Sequence, residues 1–370
     1  MKENNNLYYI AYQDFPAETA NSQQTIATCK YFVRNGYKVK LFFPLRSPSS
    51  NDDFDKINEF YSVGSSDFET IGLSHPNNFE KYNYFKKLIY ILTHAFWAFQ
   101  CVKNIQKKYR SPIQFMTRSD WTFYFLSRTS SKVLYECHQI TKVRKFLIKQ
   151  SMKNPNSKII FLNKYLLADS GITKTNNVLI QNNGYDSDFF SSNKKNKIKN
   201  KVIFSGNLLR LGKERNLDFI IDAFKDDRLK NFMLTIVGGS KEMQNYYLTK
   251  HQNLENIIFI NFLNKFQLSE ELSSSEIGLL INNDDIHSRF YTDPLKYYEY
   301  LASGLKVIGP NFESHQELKK FGNTFLYIAA DKEDFISTIL QASSVKFKYE
   351  LIEKLTTMNS RVQNIISFIK

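Results

Sequence analysis

Several common signatures are missing from this chain, and each absence excludes something. Only three cysteines occur in 370 residues, Cys29, Cys101 and Cys137, with neither paired nor metal-ligand spacing. A disulfide framework is thereby excluded, and a reducing compartment fits. No GxGxxG turn and no P-loop is present, so neither a dinucleotide fingerprint nor an NTPase is supported. His75, His94, His251 and His315 belong to no constellation in the sequence, and no metal site is expected. The longest apolar run, residues 88–102, is too short to span a bilayer, which takes about 20 residues. The opening Met-Lys-Glu-Asn-Asn-Asn leads straight into a strand-like run without the apolar core of a signal peptide, so the expected location is cytoplasmic.

Aromatic residues and positive charge are abundant instead. With 32 Phe and 22 Tyr, core material is ample, and the length suits two domains that each bury their own core. The net charge of +14 leaves nucleic acid, an anionic membrane face or a phosphate-rich substrate as partners, beside a merely solvated basic surface. The charge is densest around the apolar run, in residues 81–110. Either a core helix with solvated basic ends or a helix lying in an anionic membrane interface fits this segment. No nucleic-acid-binding module accompanies it, so nucleic acid is not expected as a partner.

Along the chain, a strand at 7–11, a helix at 19–34 ended by Asn35-Gly36, and a strand at 37–43 open a parallel doubly wound domain. Residues 46–80 carry no clear pattern. Two further strands end in Thr117-Arg-Ser119 and Glu136-Cys-His138, tips that lie on the ligand-facing edge of an open α/β sheet. After Asn182-Asn-Gly-Tyr-Asp186, the lysine-rich stretch 191–201 reads as a linker. Apolar runs then alternate with helical segments through a second doubly wound domain. The expected division is 1–190, 200–342, and C-terminal helices 343–370 that pack back on the first domain.

Two stretches of the second domain carry chemistry. Ser205-Gly-Asn-Leu-Leu-Arg-Leu-Gly-Lys-Glu-Arg215 places glycines and the cations Arg210 and Lys213 at a loop before a helix, a site suited to diphosphate. In Thr292-Asp-Pro-Leu-Lys-Tyr-Tyr-Glu-Tyr-Leu-Ala-Ser-Gly304, Asp293 is the expected N-cap and Pro294 the first helical residue. Leu295, Tyr298, Leu301 and Ala302 form the expected buried stripe, and Gly304 the stop. The helix start is a second phosphate site, with Glu299 almost two turns in and able to accept from sugar hydroxyls.

Pro-Leu-Lys-Tyr-Tyr-Glu-Tyr-Leu-Ala-Ser-Gly closely resembles the signature of the retaining, nucleotide-sugar-dependent glycosyltransferases of family 4. The paired Arg-Ser and Glu-x-His tips and the Asn-Gly-Tyr-Asp turn fit the same pattern. The resemblance implies the α/β GT-B fold, two doubly wound Rossmann-like domains facing a central cleft. It implies a hexose donor linked to UDP or GDP, with no obligatory metal. It gives Glu299 the ribose, Thr292, Leu295 and Lys296 the diphosphate, and Gly206, Asn207 and Gly238 the remaining donor contacts. Lys213 and Arg210, or Arg215 in its place, would hold the leaving phosphates, and His138 would sit beside the donor sugar. Asn21 and Ser22 stand where acceptor contacts are made. The usual donor-sugar Glu is replaced by Tyr291, for which Asp284, Asp285 or Asp293 are candidates. The acceptor implied is a glycan, free or lipid-linked, of a bacterial surface polysaccharide, with peripheral membrane contact through 81–110. The alternatives are a sugar-nucleotide epimerase of the same fold and a non-catalytic nucleotide-sugar or nucleic-acid binding module.

Overall fold

The computed structural model describes residues 5–76, 86–109, 113–191, 197–210, 213–251 and 255–370, without the side chains of Lys86, Lys87, Arg210 and Lys213. Five residues of the expected linker, 192–196, and both ends of the 81–110 segment therefore lie outside the described residues. The chain divides into two compact units, residues 1–182 with 358–370, and residues 183–357.

The first unit begins β1 (Asn6–Ile10), α1 (Ala20–Arg34), β2 (Lys38–Leu45), α2 (Phe54–Tyr61), β3 (Glu69–Ser74) and α3 (Lys86–Lys108). It continues β4 (Gln114–Thr117), α4 (Asp120–Leu126), β5 (Lys132–Cys137), α5 (Lys142–Ser151), β6 (Ser157–Phe161), α6 (Lys164–Ser170) and β7 (Val178–Ile180). The strands form one parallel sheet in the order β3-β2-β1-β4-β5-β6-β7. The order reverses between β1 and β4, which puts the ligand-facing crevice at their C-terminal ends. The unpatterned 46–80 stretch supplies α2 and the edge strand β3, whose half-exposed residues do not alternate cleanly.

The second unit runs β8 (Lys201–Ser205), β9 (Leu209–Arg210), β10 (Lys213–Glu214), α7 (Leu217–Phe224), β11 (Met233–Val237), α8 (Lys241–Lys250), β12 (Ile257–Ile260) and α9 (Lys265–Ser274). It ends with β13 (Ile277–Leu279), α10 (Leu295–Ala302), β14 (Lys306–Pro310), α11 (Glu313–Gln316), β15 (Thr324–Tyr327) and α12 (Lys332–Ser344). Its parallel sheet has the order β12-β11-β8-β13-β14-β15, with β9 and β10 as a separate antiparallel ribbon. Here the switch point is β8, flanked by β11 and β13. The strands β8 and β14 are buried along their whole length, as parallel strands covered on both faces must be.

Of residues 343–370, those up to Thr357 belong to the second unit, and the last helix, α13 (Met358–Ile369), belongs to the first. It packs on α1 and sends Met358, Val362 and Ile365 into the first unit's core.

Candidate functional site

In the second unit, α10 starts one residue later than the sequence pattern predicts. Pro294, not Asp293, takes the N-cap position, and no side chain caps the helix. Asp293 is drawn elsewhere: its carboxylate accepts from the Asn183 backbone N–H and, at 2.7 Å, from the Tyr298 hydroxyl. The start of the helix is thus left to its backbone N–H groups and the positive end of its dipole. The far end closes as a Schellman turn, with Leu305 N–H on Tyr300 O and Gly304 N–H on Leu301 O, both at 2.9 Å, and Gly304 at φ +79°.

Three tyrosines fix this helix, so its buried surface is wider than one stripe. Tyr297, Tyr298 and Tyr300 are fully buried, while Leu295 is only partly so. Each phenol finds a partner, as a buried hydroxyl must. Tyr297 donates to Leu318 O at 2.6 Å, Tyr298 holds Asp293, and Tyr300 accepts from Ser205 N–H at 2.9 Å at the end of β8.

That last bond brings α10 beside the glycine turn after β8. Gly206 has φ +134° and donates to Val237 O at 2.8 Å. A Cβ on Gly206 would stand 2.1 Å from Lys296 Nζ, and one on Gly238 (φ +107°) would stand 2.7 Å from Gly206 O. Gly238 is therefore required by close approach to backbone as well as by conformation, and Gly206 by conformation, with the movable end of Lys296 as its crowded neighbour. Lys296 Nζ lies 4.1 Å from the centroid of the Phe204 ring. So Gly206, Gly238 and Lys296, predicted from separate motifs, meet at the switch point of this sheet. Asn207 is exposed and turns the chain, its side chain accepting from Leu209 N–H at 3.0 Å.

The segment expected as an open loop forms the β9–β10 ribbon. Arg210 and Lys213 sit on paired backbone positions of it, and their side chains lie outside the described residues, as do residues 211 and 212. Arg215 has another role: it donates to Asn207 O, Ile281 O and Asn282 Oδ1 at 2.6–2.8 Å, tying the ribbon's base to the chain after β13.

Glu299 lies half-buried one turn beyond Lys296 and, among the described residues, its carboxylate accepts no hydrogen bond. Burial pushes its carboxyl above the usual range, Lys265 and Lys296 pull it down, and Asp186 adds to the rise. Lys265 had no signal of its own. It pairs with the buried Asp186 at 3.5 Å and stacks on Phe189. Thr292 points away from the helix start, donating to Ser288 O at 2.7 Å. None of the three candidates for the donor-sugar carboxylate is uncommitted. Asp284 grips Arg289, Asp285 accepts from Ser288 N–H, and Asp293 is held as described.

In the first unit, the two sequence-predicted tips meet. Arg118 Nη2 donates to His138 Nδ1 at 2.8 Å. Arginine has only donors, so Nδ1 must accept, which leaves the imidazole proton on Nε2 and aimed at Glu136 Oε1, 2.6 Å away. Burial first and Arg118 second push the His138 pKa down to about 3, against the pull of Glu136. The ring is neutral and both its nitrogens are occupied. Burial alone would raise the Glu136 carboxyl, but Arg361, His138 and Arg118 hold it well below the usual range. Arg361, fully buried on α13, donates to Glu136 Oε2 at 2.7 Å and to Asn182 O at 3.1 Å. Of the two residues expected at the acceptor, Asn21 is bound by Arg118, and Ser22 is buried with its hydroxyl on Asp14 O.

A second cluster arises from histidines that look isolated in sequence. Tyr12, just after β1, stacks on His94 of α3 with centroids 3.7 Å apart, and Arg46 covers it at 4.6 Å. Tyr12 Oη is 2.8 Å from His75 Nε2, and Arg46 makes a two-point pair with Asp14, both bonds at 3.0 Å. Burial lowers the His94 pKa to about 3, and its Nε2 lies 2.7 Å from Ser119 Oγ. Residues 12, 46, 75 and 94 converge only because β1, β2, β3 and α3 all end at or cross this edge. Among the described residues, no group of three or more His, Cys, Asp or Glu side chains could hold a metal ion.

Comparison with known proteins bears on the family and the fold. Residues 186–356 match the family model for "Glycosyl transferases group 1". No curated protein sequence matches the chain. Among solved structures, it is similar over 98% of its length, and 97% of the other chain, to a sucrose-phosphate synthase from Thermosynechococcus elongatus (TM-score 0.74, 14% identity). It is also similar to a glycosyltransferase from Rickettsia africae (TM-score 0.65, 12% identity, 100% and 98% covered). A lipopolysaccharide outer core galactosyltransferase, WaaB, gives TM-score 0.65 at 13% identity, with 98% and 99% covered. At such identities the likeness is one of fold, and the fold is GT-B.

Proposed function

We propose, from the premise that residues 186–356 are a glycosyl transferases group 1 domain in a GT-B chain, a reaction for this protein in bacterial surface-polysaccharide synthesis. The chain is a glycosyltransferase of a retaining, nucleotide-sugar-dependent family. Our reading adds that a hexose passes from a UDP- or GDP-linked donor to a glycan acceptor carried on a lipid, at the cytoplasmic face of the membrane. The likeness to a lipopolysaccharide galactosyltransferase supports an acceptor of this kind.

One observation carries the donor assignment. The α10 N-terminus, free of any side-chain cap, stands beside a glycine turn against which Lys296 is packed. Amides, a helix dipole and a cation together suit a diphosphate. Glu299, one turn on, takes the ribose hydroxyls, whose hydrogen bonds favour its ionised form against the burial that raises its carboxyl. Arg210 and Lys213 stabilise charge growing on the leaving diphosphate, whose own oxygen accepts the acceptor's proton on the same face. His138, neutral with both nitrogens engaged, acts by position beside the sugar and not as a proton carrier.

A thermal-shift screen against UDP, GDP, CMP and ADP tests this, because a ligand of the folded state raises the melting temperature by mass action. One nucleoside diphosphate should give a clear shift. Lys213→Ala should keep the wild-type melting temperature while losing most of that shift and of sugar transfer. No shift with any nucleotide, or full transfer by Lys213→Ala, would overturn the assignment.

A further inference from the structure

The helix α3 does not behave as the core helix that its apolar run allows. Its inner face buries Trp97, Ala98, Cys101 and Ile105. Yet Leu88, Leu92, Phe96 and Phe99 are 54, 59, 53 and 45% exposed. Spaced by four, four and three residues, they form one outward stripe, continued along the same face by the exposed Lys103 and Lys107. A helix that is apolar all round has a low-dielectric neighbour on both sides, and the described residues supply one on the inner side only.

The stripe is part of a wider surface. Helices α3, α4 and α5 pack side by side. Phe99 meets Phe125 of α4 at 5.5 Å between centroids, and Phe125 stacks on the half-buried Trp121. Tyr124 stands at the edge under the Arg128 guanidinium, 4.7 Å away. On α5, Val143 and Phe146 are also exposed, between Lys142 and Lys149. Across all three helices the one acidic residue is Asp120, buried and paired with Arg144 at 3.1 Å. Monomeric proteins rarely leave so large an apolar surface bare.

We propose that this α3–α4–α5 face docks onto an anionic lipid bilayer, lying in the interface without crossing it. No helix among the described residues is long and apolar enough to span a membrane. Leucine and phenylalanine enter the acyl boundary, Trp121 and Tyr124 sit at headgroup level, and the flanking lysines meet anionic headgroups. Charge distinguishes this occupant from a protein, because protein interfaces are depleted in lysine, whereas lysine flanks the apolar stripe and lies on the next helix but one. The inference agrees with a lipid-carried acceptor but does not rest on it.

The test is co-sedimentation of the full chain with vesicles of phosphatidylcholine alone or of equal parts phosphatidylcholine and phosphatidylglycerol, with sedimentation velocity run in parallel. Binding is expected to the anionic vesicles and to weaken with salt. Phe96→Glu should lower the partition coefficient by at least about tenfold. The double variant Lys103→Ser, Lys107→Ser should lower it about 25-fold, at about fivefold per lysine. All variants should keep the nucleotide-induced thermal shift of the parent, so that failure to dock is read separately from failure of the donor site. No pelleting with anionic vesicles, or wild-type binding by both variants, would overturn the proposal. So would a dimer in solution that Phe96→Glu dissolves, which would assign the face to a second copy of the chain.

Discussion

Glu136 is the residue on which the first unit's polar interior turns. It is 1% exposed and meets Arg361, itself fully buried, and His138 within hydrogen-bond distance, with Arg118 at 3.9 Å. Removing one member of such a buried pair leaves the other charge without compensation. Glu136→Gln should therefore cost about 3 kcal/mol in urea unfolding, while Glu69→Gln, on the exposed pair with Lys40, should change little. The buried His94 and the half-buried His138 make a second prediction. His94 and His138 hold folded pKa values of about 3, against about 6.5 in the unfolded chain. Between those values the unfolded state binds protons that the folded state refuses, so stability rises with pH and is lost on acidification. Unfolding free energies from urea titrations between pH 6 and 5 should fall with a slope approaching about 1.4 kcal/mol per pH unit for each histidine. His94→Gln should remove one such increment, and an unchanged slope would show that His94 titrates normally.

At the scale of elements, the decisive junction is the turn after β8 against α10. Gly206 combines a backbone that favours glycine with a missing side chain whose place would crowd Lys296. Gly206→Ala must strain φ and push the ammonium aside. Stability should drop by about 1–2 kcal/mol, and nucleoside-diphosphate affinity should fall disproportionately. Equal affinity in the two proteins would separate Lys296 from the diphosphate. Much of this junction was legible beforehand, because Ser-Gly and Pro-x-Lys motifs are local and their backbone demands are written in residue type. What stayed hidden depends on distance. Asp293 has the chemistry of an N-cap, but Asn183 and Tyr298 compete for its carboxylate and win. Nothing near residue 361 marks Arg361 as the partner of Glu136, and Tyr12, His75 and His94 meet only through sheet order. The apolar run of α3 gave its composition but not its two environments, since periodicity cannot say which side of a helix the fold will cover.

At the scale of the molecule, the chain's last step is a return. It leaves the first unit after Asn182, and only α13, from Met358, rejoins it. Within the second unit, Tyr185 and Thr357 form a parallel bridge, and Gly184 lies so near Thr356 O that a Cβ would stand 2.6 Å away. The helix is short, yet it supplies Met358, Val362 and Ile365 to the first unit's core and the guanidinium that neutralises Glu136. Three buried apolar side chains are worth about 1.5–3 kcal/mol each, and the orphaned carboxylate adds about 3 kcal/mol or more. Their sum is comparable to the whole stability of a typical domain, about 5–15 kcal/mol. A chain ending at Thr357 should therefore lose the cooperative unfolding of residues 1–182 and yield them to limited proteolysis. Residues 183–357 keep every core contact of their own clusters, so this unit should stay folded and keep its nucleotide-induced thermal shift. Digestion of both units together would mean that the second depends on the first, and full resistance of both would mean that α13 adds far less than its buried surface implies.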